Sequence, residues 1–188
     1  MPLKQNIDNL FTIFQPLCQQ QQKTLQASSI NCQLGVWADS KLLDRILTNL
    51  LSNALKYTPA GGKISIDVKA EADKVQIIVS DTGIGISPKE QKKLFTSFFR
   101  ASNAISSGTP GIGLGLLQAK RFATLLKGDI KVNSIVNQGS EFMLILNKAA
   151  VTASAVPTTT PITKDFTTTE NTTLCDSDKD TLLHCRRQ

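Results

Sequence analysis

The stretch Asp81-Thr82-Gly83-Ile84-Gly85-Ile86 organises the interpretation of this chain, because a carboxylate and two glycines follow directly on an apolar segment. That segment, residues 75–80, has the composition of a buried β-strand. Glycine has no Cβ, so a strand can end abruptly here while its backbone bends close to a ligand. A carboxylate beside the turn can accept a hydrogen bond from an exocyclic amine such as that of adenine. Asp-Thr-Gly is also an ordinary turn sequence, so the interpretation depends on the rest of the chain.

A second glycine-rich stretch lies downstream, Gly111-Ile112-Gly113-Leu114-Gly115, and opens an apolar-rich helix predicted over residues 113–126. Lys127-Gly128 marks the end of that helix, since glycine commonly follows the last helical turn. Neither glycine stretch has the Gly-x-Gly-x-x-Gly spacing of a dinucleotide fold, and the chain lacks the sequence Gly-x-x-x-x-Gly-Lys-[Ser/Thr]. Two common nucleotide folds are therefore excluded.

A strongly periodic helix is predicted upstream over residues 41–57, with Asp39-Ser40 supplying its N-cap. Its apolar stripe predicts the buried face: Leu43, Ile46, Leu47, Leu50, Leu51 and Ala54. Side chains three and four positions apart share a helix face, which places a row of polar side chains along one ridge: Asn49, Asn53, and Lys56 or Tyr57. This ridge, the carboxylate turn and the second glycine stretch together predict a nucleotide pocket.

The remaining elements follow from periodicity and turn residues. In chain order they are a helix over residues 7–17 that Pro16 bends or ends, short strands at 24–27 and 34–38, a hairpin of strands 63–70 and 74–80, a short helix capped by Ser87 that carries Leu94, Phe95, Phe98 and Phe99, and closing strands 130–136 and 140–146. Residues 101–110 show no periodicity and are predicted to form a mobile loop.

Composition limits the classes of function. With 188 residues, 40% of them hydrophobic, the chain is long enough for one domain with a real core. No apolar run approaches the ~18 residues that cross a membrane, and no signal peptide is recognisable, so a cytoplasmic domain without membrane contact is expected. The net charge of +6 is spread along the chain and not interleaved with aromatic residues, which argues against nucleic-acid binding. The four cysteines lack the spacing of a metal site or disulfide framework.

The composition changes beyond Lys148, where Thr, Ser and Pro dominate and no apolar pattern persists. Such a segment cannot bury enough apolar surface to offset the entropy of ordering it. The sequence therefore predicts a domain over residues 1–148 and a linker or disordered tail over residues 149–188.

The order of these motifs resembles that of sensor histidine kinases. Residues 49–58 are similar to their N box, 81–86 to their first glycine box, 95–100 to their phenylalanine box and 111–116 to their second glycine box. The resemblance extends over about residues 3–147 and implies the catalytic ATP-binding domain. That implies an α+β Bergerat fold: a two-layer α/β sandwich in which about three helices cover one face of a mixed, mostly antiparallel sheet.

The resemblance also implies roles for single residues. Asn53 is implied to hold Mg²⁺, for which an amide oxygen is a suitable hard ligand, while Lys56 offsets phosphate charge. Asp81 is implied to accept the adenine amino hydrogen, with Ser140 in support. Asn49 and Lys56 are the candidate catalytic residues. The implied ATP-binding set is Asn49, Asn53, Lys56, Tyr57, Asp81, Gly83, Gly85, Ile86, Phe98, Arg100, Gly111, Gly113, Leu114, Gly115 and Ser140.

Phosphoryl transfer needs positioning and charge neutralisation, and glycines at a helix N-terminus let backbone N–H groups approach phosphates. Type II topoisomerase, mismatch-repair and heat-shock ATPases share the pocket. At the position of Asn49 they carry a Glu, and that Glu activates water. An amide cannot take a proton from water, so efficient ATP hydrolysis is not expected. Transfer of phosphate to another group is favoured.

The only histidine, His184, lies in the predicted tail. Sensor histidine kinases carry the phosphoacceptor histidine on a helical hairpin upstream of this domain. The resemblance therefore implies two partners. One is a separate or missing dimerisation and phosphoacceptor domain that carries the substrate histidine, and the other is a response-regulator receiver domain downstream. A nucleotide-binding regulatory module and an anti-sigma-factor-like kinase are the alternatives. Residues 97–110 are predicted to form an ATP lid.

Overall fold

In the described part of the chain, six strands form one sheet in which the longest strand pairs along both of its edges. They are β1 (Thr24–Ala27), β2 (Gly35–Val36), β3 (Lys63–Glu71), β4 (Lys74–Asp81), β5 (Asp129–Ile135) and β6 (Gly139–Ala149). The order is β1-β3-β4-β6-β2, and β5 also pairs with β6. Only the β1–β3 pair is parallel among these strand pairs. The computed structural model describes residues 3–27, 35–106 and 112–149, so nearly all of the predicted tail lies outside the described residues.

Helices cover one face of the sheet. They are α1 (Leu3–Gln20), α2 (Ser40–Tyr57), the short α3 (Pro88–Gln91) and α4 (Ser102–Ser106), and α5 (Gly115–Leu125). The three longer helices share one core with alternate residues of β4 and β6, which are paired across the strands as Val75–Leu146, Ile77–Leu144 and Val79–Phe142. No helix of the described ranges is both long and apolar enough to cross a membrane. The predicted α+β sandwich with a mixed, mostly antiparallel sheet is confirmed.

Helix α2 runs through the middle of this core. Its buried residues are those of the predicted stripe, from Leu43 to Ala54. At its start, Oδ1 of Asp39 accepts hydrogen bonds from the backbone N–H groups of Lys41 and Leu42, at 2.8 and 3.1 Å. These bonds satisfy donors that have no partner within the helix. The predicted N-cap is confirmed.

Asp39→Ala should lower the free energy of unfolding by about 1 kcal/mol, because two N–H groups of the first turn lose their acceptor. Asp39→Asn keeps an oxygen in the same place and should retain most of the stability. Chemical denaturation of the two variants and the wild type measures the difference. Equal stability of all three proteins would mean that the cap contributes nothing.

Helix α1 is longer than predicted, since it continues through Pro16 to Gln20. Proline lacks a backbone N–H and normally disrupts a helix interior. Here Phe14 and Cys18 are buried in the core, while Pro16 lies on the exposed side of the helix. Burial of the apolar face therefore outweighs the lost hydrogen bond.

The segment between β4 and α5 also differs from the prediction. Helix α3 ends at Gln91, so the phenylalanines predicted on it lie beyond its end. Residues 102–106, predicted as part of a mobile loop, form α4. The carboxylate of Glu90 accepts hydrogen bonds from the N–H and Oγ of Ser102, at 2.7 and 2.8 Å. This contact holds the start of α4 and joins residues twelve positions apart, beyond the reach of local patterns.

Candidate functional site

A cavity of about 550 Å³ opens between α2, the turn after β4, the segment leading into α4, and the start of α5. Its volume is within the range of small-molecule sites. Most of the predicted site residues line it: Asn49, Asn53, Lys56, Tyr57, Asp81, Gly85, Ile86, Arg100, Gly113, Leu114, Gly115 and Ser140. Residues from five separate parts of the sequence are thus brought to one place.

Three predicted site residues are not among the lining residues. Phe98 is 70% exposed and has a left-handed backbone, with φ of +58°, whereas its neighbour Phe99 lines the cavity. Gly83 is buried behind the residues that line the cavity, and a Cβ on it would be 2.4 Å from the carbonyl oxygen of Tyr57. Gly111 lies outside the described residues.

Asp81 is the acidic group of the cavity. Burial raises the pKa of its carboxyl group from 3.8 to about 6, although hydrogen bonds from the backbone N–H groups of Gly83 and Ser140 oppose the rise. The bond from Gly83 to Oδ1 measures 2.8 Å. At neutral pH the carboxylate is therefore ionised, partly desolvated and able to accept a further hydrogen bond from a ligand.

Two side chains that sequence reasoning missed hold the turn after Asp81. Ser134 on β5 accepts a hydrogen bond from the N–H of Ile86 through its Oγ, at 2.8 Å, and that Oγ lies 3.0 Å from Oγ of Ser140. Nε2 of Gln91 donates to the carbonyl oxygens of Ile86 and Ser134, at 2.9 and 2.7 Å. The one signal that the sequence offered for Ser134 was a serine at a position of β5 where strand alternation predicts a buried side chain. No sequence pattern marks Gln91.

The start of α5 is suited to an anion. Its N-cap position is Leu114, whose side chain makes no capping hydrogen bond, so the first N–H groups of the helix are left to other acceptors. Leu114 and Gly115 line the cavity, and a Cβ on Gly115 would stand 3.2 Å from Oδ1 of Asn49. Phosphate oxygens are favourable partners for such a helix end because of its positive dipole.

The side chains of α2 fit a nucleotide with its metal. Asn49 and Asn53 offer amide oxygens, and Lys56, with its Nζ 5.9 Å from the ring centroid of Tyr57, offers a positive charge. Within the described ranges no group of three or more His, Cys, Asp or Glu residues could hold a metal ion alone. An ion here would need phosphate oxygens and water as further ligands, which is the usual environment of Mg²⁺.

A one-sided α/β sandwich with such a cavity defines a nucleotide-binding domain of the Bergerat type. The chain belongs to the family described as "Histidine kinase-, DNA gyrase B-, and HSP90-like ATPase", whose family model matches residues 38–150. This membership confirms the predicted family resemblance and implies that the chain binds ATP.

Similar proteins point to the histidine-kinase branch. The chain is 42% identical to "Sensor-like histidine kinase SenX3" of Mycobacterium tuberculosis over 113 residues, which is 60% of this chain and 28% of that protein. It is 35% identical to "Histidine protein kinase SaeS" of Staphylococcus aureus over 149 residues, which is 77% of this chain and 42% of that protein. The chain thus matches less than half the length of these curated relatives.

Solved structures agree on the fold. The nucleotide-free catalytic domain of histidine kinase ThkA matches with a TM-score of 0.68 and 25% identity, over 78% of this chain and 94% of that one. The mycobacterial sensor histidine kinase MprB matches with a TM-score of 0.69 and 24% identity, over 80% of this chain and 99% of that one. The chain has the fold of a histidine-kinase catalytic domain.

Proposed function

We propose that this chain is the ATP-binding catalytic part of a two-component sensor histidine kinase. It transfers the γ-phosphoryl group of ATP to a histidine on a dimerisation and phosphoacceptor domain, which then serves a response-regulator receiver domain. The relatives named as sensor histidine kinases support these partners and a place on the cytoplasmic side.

The observation that carries the proposal is which acidic side chains line the cavity. Among the residues that the structure describes, Asp81 is the only acidic side chain that lines it, and Asn49 stands beside the start of α5, the helix end suited to phosphate. An amide cannot take a proton from water, so the described part of the chain offers no general base for hydrolysis beside that helix end. This favours transfer of phosphate to an external nucleophile over an ATPase.

Each residue has a defined task in this proposal. Bound ATP with Mg²⁺ supplies the transferable phosphoryl group. Asn53 holds the metal through its amide oxygen, and Lys56 neutralises phosphate charge. Asp81 accepts the adenine amino hydrogen, with Ser140 fixing its carboxylate. The N–H groups at the start of α5 bind phosphate oxygens.

The test supplies the phosphoacceptor domain of a related sensor kinase in trans with γ-labelled ATP. We expect label on histidine. Asn53→Ala should give at least about tenfold less label, because the contact between the amide oxygen of Asn53 and the charged metal ion is lost. Asn133→Ala is the matched control, since Asn133 is exposed on β5 and does not line the cavity. Nucleotide binding with no transfer to any acceptor would instead favour a regulatory module, and rapid release of inorganic phosphate would favour an ATPase.

A further inference from the structure

Three polar side chains lie in one row across neighbouring strands of the sheet. Asp81 on β4 is paired with Ser140 on β6, and Ser140 is paired with Ser134 on β5. Asp81 and Ser140 line the cavity, as does Phe142, which lies two positions after Ser140 and therefore points to the same side of the strand. Ser134 is buried and is not among the lining residues. The row therefore joins the wall of the cavity to a buried serine beside it.

The partners of Ser134 determine where its single hydroxyl proton lies. Its Oγ is 2.8 Å from the backbone nitrogen of Ile86 and 2.8 Å from the carbonyl oxygen of Gly139. The N–H of Ile86 can only donate, so it points at a lone pair of the hydroxyl oxygen. The carbonyl oxygen can only accept, and two oxygens at this distance need a proton between them. Ser134 therefore donates its proton to Gly139.

This assignment also determines the direction of the hydroxyl group of Ser140. The Oγ atoms of the two serines are 3.0 Å apart, and a hydrogen bond between them needs one proton. Because Ser134 gives its own proton to Gly139, this proton must come from Ser140. Only lone pairs of the Ser140 hydroxyl are then left for the cavity. Beside it stands the carboxylate of Asp81, so both side chains at this end of the cavity present acceptors.

We propose that Ser134 is a positioning residue that determines the nucleobase specificity of the cavity by acting through Ser140. The inference rests on the proposed function, in which the adenine amino group lies beside Asp81. An amino group donates hydrogens and so matches a pair of acceptors, whereas an oxo group at the same ring position places an oxygen against them. Ser134 thus makes the cavity select 6-aminopurine over 6-oxopurine nucleotides.

The test is calorimetric titration with ATP and with inosine triphosphate, which carries an oxo group in place of the adenine amino group. The wild type should prefer ATP. In Ser134→Ala the hydroxyl of Ser140 loses its acceptor and can turn to donate to the oxo group, so the preference should fall about tenfold. Ser134→Thr keeps a hydroxyl on β5 and should retain the wild-type preference. The N1 proton of inosine is present in every titration, so it cancels when variants are compared.

Three further variants separate this role from a structural one. Ile130→Val shortens a buried side chain on the same face of β5, so it should destabilise the domain and leave the preference unchanged. Ser140→Ala removes the acceptor itself and should lower the preference. In the double variant, Ser134→Ala should lower it no further, because the residue through which it acts is absent. Thermal unfolding measures the stability of each variant.

An equal loss of affinity for both nucleotides in Ser134→Ala would overturn the inference, because Ser134 would then only support the fold. A wild type without preference for ATP would overturn it without any variant. A change of preference by Ser134→Ala that persists in the Ser140→Ala background would also overturn it. In these three cases ATP still binds and the proposed function stands, whereas a wild type that binds neither nucleotide would overturn both. The two failures are therefore distinguishable.

Discussion

Asp81→Asn is expected to weaken nucleotide binding and, at the same time, to stabilise the nucleotide-free domain. The amide presents donors to the adenine amino group where an acceptor is needed, a mismatch of about 1–3 kcal/mol that lowers affinity about tenfold or more. The acceptor for the N–H of Gly83 is retained, because one oxygen remains in place. Titration calorimetry measures the loss of affinity. Unchanged affinity in a folded variant would remove Asp81 from the site.

The gain in stability follows from the raised pKa of Asp81. Burial lifts this pKa from 3.8 to about 6, so the folded protein binds the proton more tightly than the unfolded chain and ionisation opposes folding. At about 1.4 kcal/mol per pKa unit, and allowing for partial contact with solvent, the neutral amide should gain about 1–3 kcal/mol at pH 7.5. The gain should be complete above about pH 6 and absent below the unfolded value of 3.8.

Denaturation of the nucleotide-free proteins across this pH range is the measurement. Asp73→Asn is the matched control, since Asp73 is exposed in the β3–β4 hairpin and its replacement removes one carboxylate without relieving burial. The control should change stability by no more than a few tenths of a kcal/mol. A less stable Asp81→Asn variant at pH 7.5, or a gain that grows as the pH falls, would contradict the burial argument.

Gly85→Ala should destabilise the domain by about 3–5 kcal/mol, or prevent folding, through two separate costs. Gly85 has φ of +63°, a left-handed conformation that side chains disfavour. A Cβ built on it would also lie 1.9 Å from the carbonyl oxygen of Ile135, on the backbone of β5. Because β5 is held by its pairing with β6, the backbone cannot move aside cheaply. The glycine turn and the β5–β6 hairpin should separate.

Gly61→Ala isolates the cost of the backbone conformation. Gly61 has φ of +79°, but a Cβ on it meets nothing within 4 Å, so this variant should lose only about 1–2 kcal/mol. Chemical denaturation of both variants gives the comparison, and nucleotide affinity should fall only in Gly85→Ala. Similar small losses in the two variants would show that the contact between Gly85 and β5 is not closely packed.

The elements that sequence alone predicts best are those defined by neighbours along the chain. The stripe and cap of α2 follow from spacings of three and four residues, and the hairpin of β3 and β4 from alternation around Glu71-Ala72-Asp73. The order of the motifs was enough to predict the family and the fold, which the comparisons confirm. The roles of single site residues, and the boundary between the domain and its tail, stay predictions.

Other features were decided only by tertiary packing. The bond between Ile86 and Ser134 joins residues 48 positions apart, and no local pattern carries that information. The sequence explained Gly85 by the approach of a ligand, whereas the structure shows that the chain's own β5 backbone occupies the space beside it. Phe99 rather than Phe98 faces the cavity because the backbone turns left-handed at Phe98. Helices and strands repeat at short spacing, but the burial that shifts the pKa of Asp81 exists only when distant segments close around it.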